Sequence, residues 1–95
     1  MSDAERWLDA RRPVPPQALD AALRSAVGPV ETPEALLAAA VARLDAALSR
    51  PGRVRESAFD LLVADAVTTY ACEAALESSD PETALKRLLE VGDAR

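Results

Sequence analysis

The chain has 95 residues, a net charge of −5 and an apolar fraction of 49%. This length predicts a single domain with one modest core, and the apolar fraction excludes wholesale disorder. The acidic balance disfavours nucleic-acid binding, because Lys and Arg side chains that neutralise phosphates supply most of that affinity.

The apolar residues are mainly Ala and Leu, Ile is absent, and Trp7, Phe59 and Tyr70 are the only aromatic residues. Ala and Leu are strong helix formers, whereas β-branched and aromatic residues are typical of strands. The composition therefore predicts an all-α fold. Ten of the eleven basic residues are Arg, which indicates a GC-rich genome and predicts a bacterial source.

The N-terminal part of the chain predicts two short helices separated by prolines. Ser2 followed by Glu5 has the capping-box pattern that opens a helix, and the prolines at 13–16 predict an extended connector after it. Gly28 followed by Pro29 ends the second helix. The expected apolar stripe of that helix consists of Leu19, Ala22, Leu23, Ala26 and Val27.

The third and fifth helices have the clearest start signals. Thr32 precedes Pro33 and Asp80 precedes Pro81, so each helix has a capping side chain followed by proline in the first turn. Gly92 is expected to end the fifth helix. The expected apolar stripes are Leu37, Val41, Leu44 and Leu48 on the third helix and Leu85, Leu88 and Leu89 on the fifth.

Residues 54–77 contain neither Gly nor Pro and predict one long helix. The helix is apolar on two sides, which is typical of a helix in the middle of a bundle. Its larger apolar face is Phe59, Leu62, Val63, Ala66, Val67, Tyr70 and Ala74, and its smaller one is Val54, Ala58, Leu61, Cys72 and Leu76.

Alanine-rich third and fourth helices joined by a short turn predict a tight antiparallel hairpin. The predicted fold is thus an all-α, single-domain bundle of four to five helices with a long central fourth helix. The predicted helices cover residues 3–10, 16–27, 33–49, 54–77 and 81–91.

A polar line of Asp65, Thr69 and Glu73 follows the fourth helix at i, i+4 steps. Carboxylates in a bundle can bind divalent metals, but di-metal carboxylate bundles use Glu-x-x-His motifs from facing helices, and this chain has no His. We therefore interpret the line as a structural polar seam, and predict neither a metal nor a cofactor.

A second candidate is the turn before the fourth helix, which carries Arg50, Arg53 and Arg55. Helix N-termini attract anions through their free N–H groups, so a phosphate or carboxylate could bind there. No glycine-rich phosphate loop accompanies the arginines. Their alternative role is to pair with nearby carboxylates.

The sequence predicts a non-enzymatic protein. Without His, neither a Ser–His nor a Cys–His pair is possible, and Cys72 lies beside Glu73, which disfavours a reactive thiolate. Neither a signal-peptide pattern nor a long apolar run is present, so we expect a cytoplasmic chain without membrane contact.

Two apolar sides on one helix offer more apolar surface than a small bundle can cover. We therefore expect a protein–protein interaction module, self-associating as a homodimer or binding another protein. The alternative is a domain that binds a small molecule or anion at the Arg50, Arg53 and Arg55 turn or beside Asp65 and Glu73. The candidate interface residues are Trp7, Leu61, Leu76, Leu85 and Leu88, of which Trp7 could instead close the core.

Overall fold

The computed structural model describes residues 3–28, 32–49 and 54–93, and within these ranges the chain forms five helices and no strand. This architecture confirms the predicted all-α bundle with a long fourth helix. The helices are α1 (Asp3–Asp9), α2 (Gln17–Val27), α3 (Pro33–Leu48), α4 (Val54–Glu77) and α5 (Pro81–Asp93).

The predicted helix starts at Thr32 and Asp80 are present as side-chain caps. The backbone N–H of Ala35 donates to Thr32 Oγ1 at 3.2 Å, and that of Thr83 donates to Asp80 Oδ1 at 3.2 Å. Each bond satisfies an N–H that has no acceptor within its own helix. The Ser2 capping box lies outside the described residues.

The fifth helix does not end at Gly92 as the sequence predicts, but continues to Asp93. A glycine in a helix costs only about 1 kcal/mol relative to alanine, so one glycine does not by itself stop a helix.

All five helices contribute to one hydrophobic core. Three of its seven members on α3 and α4 are alanines, which lets the helix backbones approach closely at those positions. The buried residues of the core are Leu8, Leu23, Val27, Leu36, Ala40, Val63, Val67, Tyr70, Ala71, Ala75, Ala84 and Leu88.

Helices α3 and α4 pack as the predicted antiparallel hairpin and share the largest helix–helix interface of the described chain. Ser57 Oγ donates to the carbonyl of Ala47 at 3.2 Å, and Arg43 Nη1 lies 3.2 Å from Asp60 Oδ1. Residue 57 of α4 contacts residue 47 of α3, and residue 60 of α4 contacts residue 43 of α3. The residue number rises along one helix while it falls along the other, so the two helices run in opposite directions. Helix α5 packs against both of them.

The predicted apolar stripe of α3 is only partly correct. The face turned to the core carries Leu36, Ala40 and Ala47, whereas Leu48 is 70% exposed. Leu37 packs against the core only partly, and Val41 and Leu44 are half-buried. Alanine surrounds the leucines of α3, so the helix is apolar on nearly every side and the larger side chains do not mark the buried one.

Leu62 was expected on the buried face of α4 but is 55% exposed. The buried stripe instead includes Asp60, whose carboxylate pairs with Arg43 inside the hairpin. A buried carboxylate is costly unless it is paired, so Arg43 explains why Asp60 is tolerated there.

Candidate functional surface

The solvent side of α4 forms a neutral, largely apolar strip. Of the eight residues on this outer face, only Asp65 carries a charge. The outermost of its bulky side chains, Leu61 and Leu76, lie 15 positions apart, which is about 22 Å along a helix. The outer face consists of Ala58, Leu61, Leu62, Asp65, Thr68, Thr69, Cys72 and Leu76, all of them exposed.

Exposed large apolar side chains concentrate on this face. Six are found in the described residues, and Leu61, Leu62 and Leu76 of α4 are three of them, with exposures of 46%, 55% and 61%. The other three lie apart on different segments, namely Val14, Leu48 and Leu89. A contiguous apolar patch is typical of an interaction surface, whereas single exposed apolar residues need no explanation.

The two threonines in the middle of the outer face are less polar than their side chains imply. Thr68 Oγ1 donates to the carbonyl of Ala64 at 2.7 Å, and Thr69 Oγ1 donates to the carbonyl of Asp65 at 3.1 Å. Both hydroxyl protons are satisfied within the helix. A binding partner that covered these threonines would therefore not need to provide a hydrogen-bond acceptor for either hydroxyl group.

The predicted seam of Asp65, Thr69 and Glu73 is not a single row. Each i, i+4 step turns an ideal helix by about 40°, so the line winds around α4. Asp65 and Thr69 lie on the outer face, while Glu73 is half-buried and pairs with Arg11. No cluster of acidic, Cys or His residues in the described chain could hold a metal ion.

Glu73 belongs instead to a polar contact that joins α1 to the C-terminal end of α4. Arg11 Nη1 lies 2.7 Å from Glu73 Oε2 and 3.0 Å from Glu77 Oε1. Trp7 Nε1 donates to Glu77 Oε2 at 2.6 Å, and the Trp7 ring meets Tyr70 edge-on with centroids 6.0 Å apart. The Arg11 guanidinium also stacks over the Trp7 ring, 4.0 Å from its centroid.

The pKa values of Glu77 and Tyr70 are shifted by their surroundings in the α1–α4 contact. The hydrogen bond from Trp7 lowers the pKa of Glu77, burial opposes this, and Arg11 lowers it further. Burial raises the pKa of Tyr70, and the negative charge of Glu73 adds to the effect. Glu77 is therefore held in its charged form and Tyr70 in its neutral form.

The sequence offers no signal for the α1–α4 contact beyond its residue types. Arg11 fits the C-terminal end of α1, and its Nε does donate to the carbonyl of Trp7 at 3.2 Å. Its carboxylate partners lie 62 and 66 positions away, which no local pattern reveals. Trp7 thus packs partly against the core and anchors its own chain.

The predicted anion site stays a prediction, because most of it lies outside the described residues. Arg50 and Arg53 lie outside the described residues, and Arg55 is exposed on the first turn of α4. A cleft between α1, the connector and α2 also contains arginines. There Arg24 pairs with Asp9 and Asp20, so its charge is already balanced.

Three of the five candidate interface residues contact the core, namely Trp7, Leu85 and Leu88. Leu88 is only 6% exposed and belongs to the core, so the prediction that it lies on an interface is wrong. Leu85 packs partly against the same core, which leaves Leu89 as the one fully exposed residue of that stripe. Leu61 and Leu76 are exposed as an interface requires.

No described helix has the length and apolar character needed to cross a membrane. The chain matches no known family model, and no curated protein or solved structure is detectably similar to it. A functional assignment therefore depends on the surface chemistry of the chain itself.

Proposed function

We propose that the chain is a non-enzymatic protein–protein interaction module that binds through the outer face of α4. The observation that carries the proposal is the outer face from Ala58 to Leu76, with a single charged residue among eight. Covering a Leu side chain releases about 1.5–3 kcal/mol relative to leaving it exposed, and three leucines lie on this face. Self-association as a homodimer is the first form of binding we expect.

Helix α5 supports this choice of surface over the alternative leucine stripe. Leu88 is part of the core, and the exposed side of α5 carries charged side chains around Leu89, namely Glu82, Lys86, Arg87, Glu90 and Asp93. Charged residues are depleted at the centres of protein interfaces. The outer face of α4 has the opposite composition.

The first test is native mass spectrometry of the purified chain over a concentration series from about 1 to 200 µM, which brackets affinities typical of small interfaces. We expect a dimer or a co-purifying protein. Both should be lost in the double variant Leu61→Ser with Leu76→Ser, whose side chains are already exposed. Leu48→Ser on α3 is the matched control and should leave binding unchanged.

A bare monomer at every concentration, with no captured protein, would contradict the proposal. Loss of binding in Leu89→Ser but not in the α4 double variant would move the interface to α5. A co-purifying small-molecule mass on a monomer would favour the ligand-binding alternative instead.

A bacterial source and a cytoplasmic location remain proposals from composition. The excess of Arg over Lys supports the first, and the exposed lone thiol of Cys72 is compatible with the reducing compartment of the second. Fractionation of the source cells, with the chain followed by immunoblot, tests the location.

A further inference from the structure

We infer that the partner on the outer face of α4 is a second copy of this chain, packed antiparallel about a two-fold axis that passes between Thr68 and Thr69. This inference rests on the proposed function and adds the identity and direction of the partner. A two-fold interface pairs residue i with residue j and residue j with residue i. The residue order along α4 suits that pairing.

Two pairs of like side chains on the outer face, Leu61 with Leu76 and Thr68 with Thr69, are placed symmetrically about the point between positions 68 and 69. In antiparallel packing centred between positions 68 and 69, Leu61 of one copy lies level with Leu76 of the other. Thr68 lies level with Thr69 at the centre. Leucines therefore meet at both ends, and small side chains meet at the crossing point, where helix axes can approach to about 8 Å.

The single charge on the face distinguishes the two directions. In a parallel pair in register, Asp65 of one copy would face Asp65 of the other, and like charges at an interface are costly. In the antiparallel pair Asp65 lies level with Cys72, an uncharged residue. The two Asp65 positions are then seven residues apart along the helices, which is about 10 Å.

The size of the face predicts weak association. A standard protein interface has about 20–30 residues on each side, whereas the outer face has eight. Neighbouring residues can widen the contact. We still expect a dissociation constant of about 10–100 µM, which is weaker binding than that of an obligate dimer. The exchange between monomer and dimer would then be fast.

Disulfide trapping tests both the partner and its direction. In the antiparallel pair, the two Cα atoms at position 69 lie about 6 Å apart, within disulfide range, while those of Cys72 lie about 11 Å apart, beyond it. A Thr69→Cys variant in a Cys72→Ser background should therefore form a covalent dimer in a glutathione redox buffer. The unmodified chain should not.

Ala21→Cys in the same Cys72→Ser background is the control, because Ala21 is exposed on α2 and does not belong to the outer face of α4. It should stay monomeric under the same buffer. Circular dichroism of each variant verifies that the helices are intact, and non-reducing electrophoresis measures the covalent dimer.

Rapid dimerisation of the unmodified chain through Cys72 would overturn the antiparallel register in favour of a parallel one, whether or not the Thr69→Cys variant also dimerises, because every position faces itself in a parallel pair in register. No trapping in either, together with a monomer in sedimentation equilibrium at about 1 mM, well above the expected dissociation constant, would overturn the second copy as the partner. A monomer that still captures another protein, lost in the Leu61→Ser, Leu76→Ser double variant, overturns only this inference. A monomer that captures nothing overturns the proposed function as well.

Discussion

Helix α4 is joined to its neighbours in two different ways. Along its N-terminal half it packs against α3, with alanines and an ion pair between Arg43 and Asp60, the latter buried. Near its C-terminal end it holds α1 through long side chains, and no Cα atom of α1 lies within 8 Å of one in α4 among the described residues. The α3–α4 contact is held by close packing of buried side chains. The α1–α4 contact is held by a few polar groups near the surface.

This difference indicates how the stability of the bundle is distributed. A tightly packed interface resists opening because every contact must be lost together. A junction made of a few partly exposed groups can open locally while the rest stays folded. We expect the α3–α4 hairpin to be the most stable part of the chain and α1 the first part to detach.

The largest expected effect is overpacking of the hairpin. Ala40 is 1% exposed on the core-facing side of α3, so Ala40→Leu adds three carbons where no space exists. We expect a loss of about 2–3 kcal/mol in the free energy of unfolding, which lowers Tm by about 10–20 °C. Thermal denaturation followed by circular dichroism measures the change.

Ala38→Leu on the exposed side of the same helix is the matched control and should change stability by less than about 0.5 kcal/mol. Equal effects of the two substitutions would show that the α3–α4 packing is not as close as described.

A smaller effect is expected at the α1–α4 contact. Arg11→Ala removes the stacking on Trp7 and two ion pairs, but Glu73 and Glu77 remain partly hydrated, so we expect a loss of about 1–2 kcal/mol. The loss should be confined to α1. Trp7 is the only Trp of the chain, so a red shift of its fluorescence reports the detachment directly.

Arg6→Ala removes an exposed ion pair within α1, between Arg6 and Asp3, and should cost less than about 0.5 kcal/mol. If Arg11→Ala left the Trp7 emission unchanged, α1 would be held by apolar contacts and the contrast between the two junctions would fail.

The smallest expected effect is a dependence on pH. The pKa of Glu77 is lowered from its usual 4.5, so the folded state prefers the charged carboxylate. The stabilisation is present above pH 4.5 and is lost as the pH falls through the lower pKa of the folded state. Trp7 fluorescence should shift to the red below pH 4.5, ahead of the loss of helical circular dichroism.

Glu77→Gln removes the titrating group and should abolish this early fluorescence change. If the fluorescence of this variant changed at the same pH as that of the unmodified chain, the pH dependence would belong to another carboxylate.

Helix boundaries were the most predictable part of the structure. Thr32, Pro33, Asp80 and Pro81 act through bonds and sterics within one turn, so their effect can be read locally. The buried side of α3 could not be predicted, because alanines and leucines alternate around the whole helix. The pairing of Arg11 with Glu73 and Glu77 depends on the arrangement of distant helices, which no local signal contains.

The outer face of α4 was predictable only in part. Leu61, Cys72 and Leu76 were placed together on a second side of the helix, and all three are exposed. Leu62 was assigned to the core because its size and helical spacing fit the buried stripe. It lies outside that stripe, on nearly the opposite side of α4 from Asp60, which occupies a buried position through its pairing with Arg43.

The low charge of the outer face, which carries only Asp65, also determines how the surrounding salt would act on association. The chain carries a net charge of −5, so two copies repel each other at long range through charges that lie mostly elsewhere. At physiological ionic strength the screening length is about 8 Å, which weakens this repulsion while leaving apolar contact intact. The proposed pairing should therefore be stronger at physiological ionic strength than in a buffer of low salt.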